Sequence, residues 1–375
     1  MDRRHLLGAA LLGAGAAATG KSPASAGAPR SKALDPHGYA RALRPVDAVA
    51  PAGRTVDLSD VPEWRLRPID LPERYANARF SATDHRGTLF GTFLLPMAEQ
   101  QLDHRDGIVV WRQGRCTEIS IPGYITPYLR DANRHGQAVY TANAARPGAS
   151  IRHGADVSFL LRPGRPPQLI PPLSANGEVS VQSINDAGII SGTADGQWVT
   201  WSIDRLDRPT IHPAPARGGA ANCFIDNDGT LVGTQVNSFD TGMVYDAYRM
   251  QQDMSRWLPA GEGEVVQAYG VANGLAICRY ESPADFRALT WDRAGQVTYI
   301  DGMETPMKVN RDGLVAGYPA AGSGILLWQG GRHVGRVAGS DSRVVSVFGL
   351  SDRGELIGQC GEPNGKYRPA MWTAH

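Results

Sequence analysis

Three observations predict an all-β fold built from one repeated unit. From Asp84 onward, a short polar turn ending in glycine recurs seven times, with successive glycines 49, 52, 41, 45, 39 and 41 residues apart. Each turn leads into a small or β-branched run and then into an apolar strand that usually ends in tryptophan. The chain also holds 44 glycines and 26 prolines, and long amphipathic helical patterns are absent. A period of this size is typical of propeller blades, so the sequence predicts a seven-bladed β-propeller closed by an N-terminal strand.

The first element in chain order, residues 1–26, reads as an export signal. Arg3 and Arg4 form a twin-arginine pair, an apolar run follows over 6–19, and residues 24–26 (Ala-Ser-Ala) match a cleavage site. The run is about 14 residues long, short of the ~20 that a membrane-spanning helix needs. We therefore expect cleavage after Ala26, release outside the cytoplasmic membrane of a bacterium, and no stable membrane insertion afterwards.

Residues 27–62 are rich in Ala, Pro, Gly and Ser, and they read as a flexible linker or pro-region. The propeller is expected over 63–375. Its seventh repeat ends just after Trp372 and lacks an outer strand, whereas the segment 63–71 precedes the first repeat and reads as a spare strand. Pairing of the two would remove the exposed sheet edges of an open ring. Eight blades remain an alternative if 37–71 holds a degenerate repeat.

The unit over 179–215 shows how a blade is expected to form. It predicts strands over 179–184, 189–193 and 198–203, with an outer strand over 209–215 whose prolines suit an edge. The third strand of each repeat carries one large apolar residue, which we expect in the core between blades rather than in a sugar-stacking platform. These residues are Trp111, Leu161, Trp201, Met250, Trp291, Trp328 and Trp372.

Composition excludes some classes of function. The net charge is +1 and no basic stripe is present, so nucleic acid is not an expected partner. The four cysteines, Cys116, Cys223, Cys278 and Cys360, form no CxxC pair, and no metal site is expected from them. They are interpreted as small core residues. A disulfide is the alternative, with Cys116–Cys360 as the pair to test. The protein is expected to be a monomer.

Catalytic motifs are absent from the sequence. No GxSxG, HExxH, SxxK or Walker pattern occurs. The Asp-Asn-Asp-Gly turn at 226–229 lacks the distal glutamate of a calcium loop, so a hairpin turn is the better interpretation. No cofactor can be assigned.

Propeller topology directs attention to one face. Loops that enter the first strand or join the second and third strands share a face, and long loops on a rigid scaffold often carry the site. The segment between the repeat glycine and the large apolar residue of the third strand is longest in the first two blades, at 24 and 25 residues. The catalytic candidates on this face are His104, His153, Asp103 and Asp106. The ligand-binding candidates are Arg130, Arg152, Tyr245, Arg279, Tyr280, Lys366 and Tyr367. His85 and His135 lie in turns on the opposite face.

Aligning the repeats also predicts the residues that line the channel. They are Ser81, Arg130, Gln182, Cys223, Tyr269, Met307 and Phe348. The set is mostly apolar or weakly polar, which predicts a small pocket with one cation, Arg130, near its rim.

Two of the turns resemble a known repeat. Residues 184–192 (Ile-Asn-Asp-Ala-Gly-Ile-Ile-Ser-Gly) and 309–317 (Val-Asn-Arg-Asp-Gly-Leu-Val-Ala-Gly) resemble the extracellular HAF-repeat family. The His-Ala-Phe element of that family is degraded here, at 286–291 and 368–372. The resemblance implies a secreted bacterial β-propeller, and it supplies no catalytic residues.

Two classes of function fit these features. The first is a noncatalytic ligand-binding or interaction module that binds a small molecule or a carbohydrate. The alternative is an enzyme, a lyase, isomerase or hydrolase acting on a polysaccharide or specialised metabolite through histidine and carboxylates on the loop face. Convergence of His104, His153 and an acidic residue or Arg130 in one concave site would favour the enzyme.

Overall fold

The computed structural model contains seven four-stranded antiparallel sheets arranged in a ring, a β-propeller. It describes residues 57–95, 106–121, 123–144, 156–174, 177–212, 219–239, 242–251, 254–258, 265–282, 285–338, 345–361 and 366–374. The first half of the strands are β1 (Arg65–Pro68), β2 (Arg79–Thr83), β3 (Leu89–Leu94), β4 (Asp106–Arg112), β5 (Arg115–Ile119), β6 (Tyr124–Ala132), β7 (Ala138–Ala144), β8 (Asp156–Leu161), β9 (Gln168–Ile170), β10 (Val179–Ile184), β11 (Ile189–Ala194), β12 (Gln197–Ser202), β13 (Arg205–His212) and β14 (Gly219–Ile225).

The remaining strands are β15 (Leu231–Phe239), β16 (Gly242–Gln251), β17 (Met254–Leu258), β18 (Val265–Ala272), β19 (Leu275–Ser282), β20 (Asp285–Trp291), β21 (Val297–Ile300), β22 (Met303–Val309), β23 (Val315–Pro319), β24 (Gly324–Gln329), β25 (Arg332–Ala338), β26 (Val345–Leu350), β27 (Leu356–Gly361) and β28 (Tyr367–Thr373). Blades 1 to 6 take four consecutive strands each, from β2–β5 to β22–β25, and blade 7 combines β26–β28 with β1. A short 3₁₀ helix, Glu73–Tyr75, links β1 to blade 1.

The predicted strands of blade 3 are all found. The second and third, Ile189–Ala194 and Gln197–Ser202, differ from their predicted bounds by one residue, and the fourth differs by more. The first strand spans Val179–Ile184, as expected. The fourth strand begins at Arg205 rather than at 209, because Ser202 pairs with Arg205 and only two residues form the turn between them.

Every blade packs on both of its neighbours through an apolar layer. The described core divides into seven clusters, and each joins side chains of two adjacent blades. Trp201 of β12, for example, packs with Val139 and Leu160 of blade 2. The tryptophans predicted at the third-strand position lie in this interblade core, which supports their interpretation as packing residues. All four cysteines are free thiols, and Cys223 and Cys278 are buried.

The N-terminal segment contacts two blades in turn. The Trp64 amide donates to the Arg336 carbonyl at 2.8 Å and the Arg336 amide to the Pro62 carbonyl at 2.9 Å, on the outer strand of blade 6. The Trp64 side chain lies so close to Gly335 that a Cβ there would be 2.1 Å from its Nε1. β1 then pairs antiparallel with β28, from Arg65 opposite Thr373 to Pro68 opposite Ala370. The segment thus provides the fourth strand that blade 7 lacks.

The seven repeat turns lie on one face, here called the turn face. It carries the connections between first and second strands, and the opposite loop face carries those between second and third strands. All seven repeat glycines have a left-handed φ, between 74° and 85°, which glycine adopts without strain. Neighbouring turns are hydrogen-bonded to each other. The side-chain Nδ2 of Asn133 donates to the Asn185 carbonyl at 2.9 Å, that of Asn185 to the Asp226 carbonyl at 3.1 Å, and that of Asn310 to the Ser351 carbonyl at 3.1 Å.

Among the residues that the model describes, no helix is long and apolar enough to cross a membrane.

Candidate functional site

Six bulged residues surround the central channel at one height. In blades 1, 2, 3, 5, 6 and 7, the first strand has one extra, unpaired residue. It lies between the two residues that pair with the third and fourth residues after the repeat glycine. A bulge turns its side chain out of the normal alternation, and bulges are frequent beside functional sites. The bulged residues, all half-buried, are Ser81, Arg130, Gln182, Tyr269, Met307 and Phe348.

Six of the seven residues predicted to line the channel are therefore these bulge residues. The prediction fails for Cys223, which is fully buried and packs against Trp198. The reason is local, because the bulge of blade 4 falls two residues earlier, at the exposed Ala221.

Blade 2 carries a second bulge nearer the loop face. Thr126 and Pro127 together lie opposite the single residue Ala142. Thr126 has a φ of 46°, a conformation that is strained for a β-branched residue. The Asn143 side-chain amide donates to Thr126 Oγ1 at 2.8 Å and helps to hold this geometry. Strain of this kind persists only where the surrounding structure fixes it, and it is concentrated at functional sites.

The residue that follows this bulge is Tyr128, the most exposed of the large apolar and aromatic side chains in the described part of the chain. It is 59% exposed although it lies on an innermost strand. The Arg130 guanidinium carbon lies 4.9 Å from the centre of its ring, and Arg130 Nε donates to Thr141 Oγ1 at 3.2 Å. A cation over a tyrosine ring is an attractive contact that restricts both side chains.

A second tyrosine approaches from the other side of the channel. Tyr318 is on β23 of blade 6, five residues after Gly313, and Tyr128 pairs with Thr141, five residues after Gly136. The two tyrosines therefore stand at the same height. Burial, and after it the neighbouring Tyr128, raises the pKa of Tyr318 above its usual value. Tyr128, Arg130 and Tyr318 are called the channel site below.

One level deeper, a carboxylate joins two blades. Asp131 Oδ2 accepts the Ile184 amide at 3.0 Å and Oδ1 accepts the Ala132 amide at 2.9 Å. Burial raises the pKa of Asp131 to about 6, against the opposing effect of Lys308 and of these two amides. Lys308 pairs with Ala316 and Asp131 pairs with Val139, and each of these partners is the third residue after its repeat glycine. Lys308 and Asp131 therefore lie at the same height in the channel.

Several predicted site residues lie outside the described part of the chain. These are His104, His153, Asp103 and Arg152, together with the side chain of Tyr245 on β16. Asp106 is described at the start of β4 and is half-buried. The convergence that would favour an enzyme therefore stays a prediction. His85 and His135 belong to repeat turns on the turn face, as expected.

The other candidates occupy separate blades. Arg279 Nη2 contacts Glu281 at 3.4 Å and the Arg279 guanidinium stacks on the Phe286 ring, all within blade 5. Tyr280 is only 8% exposed, because its position on β19 points into the core between blades 4 and 5. Lys366 and Tyr367 are exposed at the start of β28. Of the ligand-binding candidates, Arg130 belongs to the channel site, and the other two residues of that site, Tyr128 and Tyr318, were not predicted from the sequence. Pro127 was the available signal, because proline inside a strand pattern marks a bulge.

The two faces differ in their exposed apolar groups. Of the eight exposed large apolar or aromatic side chains in the described ranges, five stand in the channel or at loop-face strand ends, namely Leu94, Tyr128, Phe286, Tyr318 and Tyr367. The other three lie on outermost strands. The described residues also contain no group of three His, Cys, Asp or Glu side chains placed to hold a metal ion.

Comparison with known proteins gives the fold. No family model matches the chain. No curated protein sequence matches it either. Among solved structures, the propeller domain of the Trilobed protease from Pyrococcus furiosus is similar, with a TM-score of 0.56 at 11% identity over 80% of this chain and 96% of that one. Virginiamycin B lyase from Staphylococcus aureus gives 0.52 at 10% identity, over 83% of this chain and all of the lyase.

A puromycin-hydrolysing peptidase from Mycobacterium tuberculosis gives a TM-score of 0.54 at 12% identity, over 83% of this chain and 53% of the peptidase. Identities this low establish a shared β-propeller architecture. They leave the activity to be argued from the site itself.

Proposed function

We propose that this protein is a noncatalytic ligand-binding module whose ligand, a small molecule or a carbohydrate, enters the central channel from the loop face. The observation that carries the proposal is the Thr126–Pro127 bulge, which holds an exposed tyrosine on the channel wall at the cost of a strained threonine. A tyrosine ring offers a large contact area with few rotatable bonds, which favours its use in binding sites.

The rest of the molecule supports this siting. On the turn face, the asparagine side chains of three turns, Asn133, Asn185 and Asn310, donate to carbonyls of the neighbouring turns. Most of the exposed aromatic and apolar side chains described are on the loop face or in the channel. Exposed apolar groups gathered on one side of a rigid scaffold are typical of an interaction surface.

The test is a thermal-shift screen of small molecules and oligosaccharides, repeated with two variants. Tyr128→Ala should abolish the shift given by a true ligand. Ile211→Ala removes a 50% exposed apolar side chain from the outer strand β13 and should leave the shift unchanged. Ligands that stabilise wild type and Tyr128→Ala equally would place binding elsewhere and contradict the proposal.

The enzyme class is an outcome of the same experiment. If a ligand that stabilises the protein is also consumed by it, and if His104→Ala or His153→Ala stops its consumption, the module is catalytic. The repeat resemblance and the signal-like N-terminus extend the proposal to an exported bacterial protein of the HAF-repeat kind. Cleavage after Ala26, read by mass spectrometry of the exported chain, tests that part.

A further inference from the structure

The channel is crossed at its turn-face end by an ion pair. Arg311 of blade 6 pairs with Asp186 of blade 3, which stands three places away around the ring. Arg311 Nε also lies 3.0 Å from Asp352 of blade 7, and Arg134 Nε lies 3.5 Å from Asp186. These four side chains occupy the turn-face mouth. A ligand in the channel therefore approaches from the loop face and finds a closed inner end.

Above this closure, the innermost strands carry an excess of positive charge. The first strands of the seven blades contain three basic residues, Arg79, Arg130 and Lys308, and two acidic ones, Asp131 and Glu304. The carboxylate of Asp131 already accepts two backbone amides. Arg130 stands among half-buried bulge residues at the level just below Tyr128, where it donates to Thr141 Oγ1 and its guanidinium lies over the Tyr128 ring.

The aromatic groups stand on the loop side of this charge. One face of the Tyr128 ring meets Arg130, and the side chain as a whole is 59% exposed. Tyr318 stands at the same height and is 37% exposed. A ring-shaped group between these tyrosines would bury apolar surface on both sides, and an acidic group on that ring would point toward Arg130.

We infer that the ligand of the channel site is a ring-bearing carboxylate, held by Tyr128 and Tyr318 around the ring and by Arg130 at the carboxylate. This inference rests on the proposed function and specifies the class of ligand. An aromatic acid and a sugar acid share the required chemistry. Which of them binds depends on whether aromatic or sugar rings fit between the tyrosines.

The experiment compares matched charged and neutral probes on the full-length protein. Benzoate against benzamide represents the aromatic source, and glucuronate against glucose represents the sugar source. Saturation-transfer NMR gives each dissociation constant. In wild type, the acid of at least one pair should bind about tenfold more tightly than its neutral partner, a difference of about 1.4 kcal/mol. Arg130→Gln should remove this preference, and Arg130→Lys should retain most of it.

Two further variants separate the possible failures. Tyr128→Ala should weaken acid and neutral probe alike, and Leu169→Ala, which removes an exposed apolar side chain from the outermost strand β9, should weaken neither. If a neutral probe binds as tightly as its acid and loses affinity in Tyr128→Ala, the channel binds ligands but the carboxylate inference is wrong. If no probe binds, the carboxylate inference fails, and the thermal-shift screen alone decides the proposed function. If probes bind but binding is indifferent to Tyr128→Ala, the inference and the proposed function both fail.

Discussion

The asparagine at the start of the repeat turns of blades 2, 3 and 6 bonds in two directions. Asn185 is representative, because its Oδ1 accepts the Ile189 amide at 2.9 Å inside its own turn while its Nδ2 donates to the Asp226 carbonyl of the next blade at 3.1 Å. Asparagine satisfies both needs, since one side chain carries an acceptor and a donor. This explains why asparagine recurs in these turns: the hairpin uses only its acceptor oxygen, and the link to the next blade uses its donor nitrogen.

Replacing Asn185 by aspartate should therefore cost about 1–3 kcal/mol of the free energy of unfolding, because it keeps the acceptor, removes the donor and buries a charge beside a carbonyl. Asp84→Asn is the matched control. Its carboxylate accepts the Arg86 and Thr88 amides, both at 2.8 Å, which an asparagine oxygen also accepts, so the change should stay within ~0.5 kcal/mol. Urea unfolding of both variants gives the comparison. Equal effects would show that the link between blades contributes nothing.

A second prediction at this scale concerns Asp131. Its pKa is raised from 3.8 to about 6 in the folded protein, so folding favours the protonated form. Wild type should therefore gain stability relative to Asp131→Asn as the pH falls from 7 through 6 toward 4, with no further gain below about 3.8. Lys308 and Asp352 are the charged groups that act on Asp131 from facing blades, and both are unchanged in the comparison. A constant difference in melting temperature from pH 7 to pH 4 would contradict the assignment.

At the scale of elements, the N-terminal segment holds three blades together. Trp64 packs in the cluster between blades 6 and 7, β1 pairs with β28, and Ile69 and Tyr75 pack in the cluster between blades 7 and 1. Losing this segment would expose the edge of β28 and leave a cavity at Gly335. The segment therefore contributes both an edge strand and part of two cores.

A chain that starts at residue 72 should accordingly melt far below one that starts at residue 27, or should not fold. Trp64→Ala isolates the packing contribution and should cost about 3–5 kcal/mol, whereas Leu66→Ala, at a 39% exposed position on β1, should cost well under 1 kcal/mol. Circular dichroism melts measure all four proteins. A start at residue 72 with an unchanged melting temperature would show that the ring is held without this segment.

The parts of the fold that the sequence predicts are those set by local chemistry. The seven glycines need a left-handed φ, and a large apolar residue, tryptophan in five of the seven units, repeats at one place in the third strand, so blades and strands follow from them. The channel site depends instead on register. Whether Arg130 is bulged is decided by the pairing of Leu129 with Tyr140 and of Asp131 with Val139, and the approach of Tyr318 depends on the closing of the whole ring.

For the molecule as a whole, ring closure sets the order of folding. The contacts that complete blade 7 join Arg65–Pro68 to Ala370–Thr373, nearly the full length of the described chain apart. Such non-local pairing forms late, because the loop between the partners must close first. The propeller therefore cannot be complete until its last strand has been synthesised.

Late closure bears on how the proposed export takes place. A route that carries folded proteins suits a chain that must be complete before it folds, and we expect the Arg3–Arg4 pair to be the signal for such a route. Replacing both arginines by lysine should leave a full-length precursor inside the cell, and that precursor should be folded and resistant to protease. Trp64→Ala, made in a precursor that keeps Arg3 and Arg4, should also lower export, because the weakened closure lets more of the precursor stay unfolded. Unchanged export of the double-lysine variant, read by immunoblotting of cell and medium fractions, would assign the protein to the general secretory route instead.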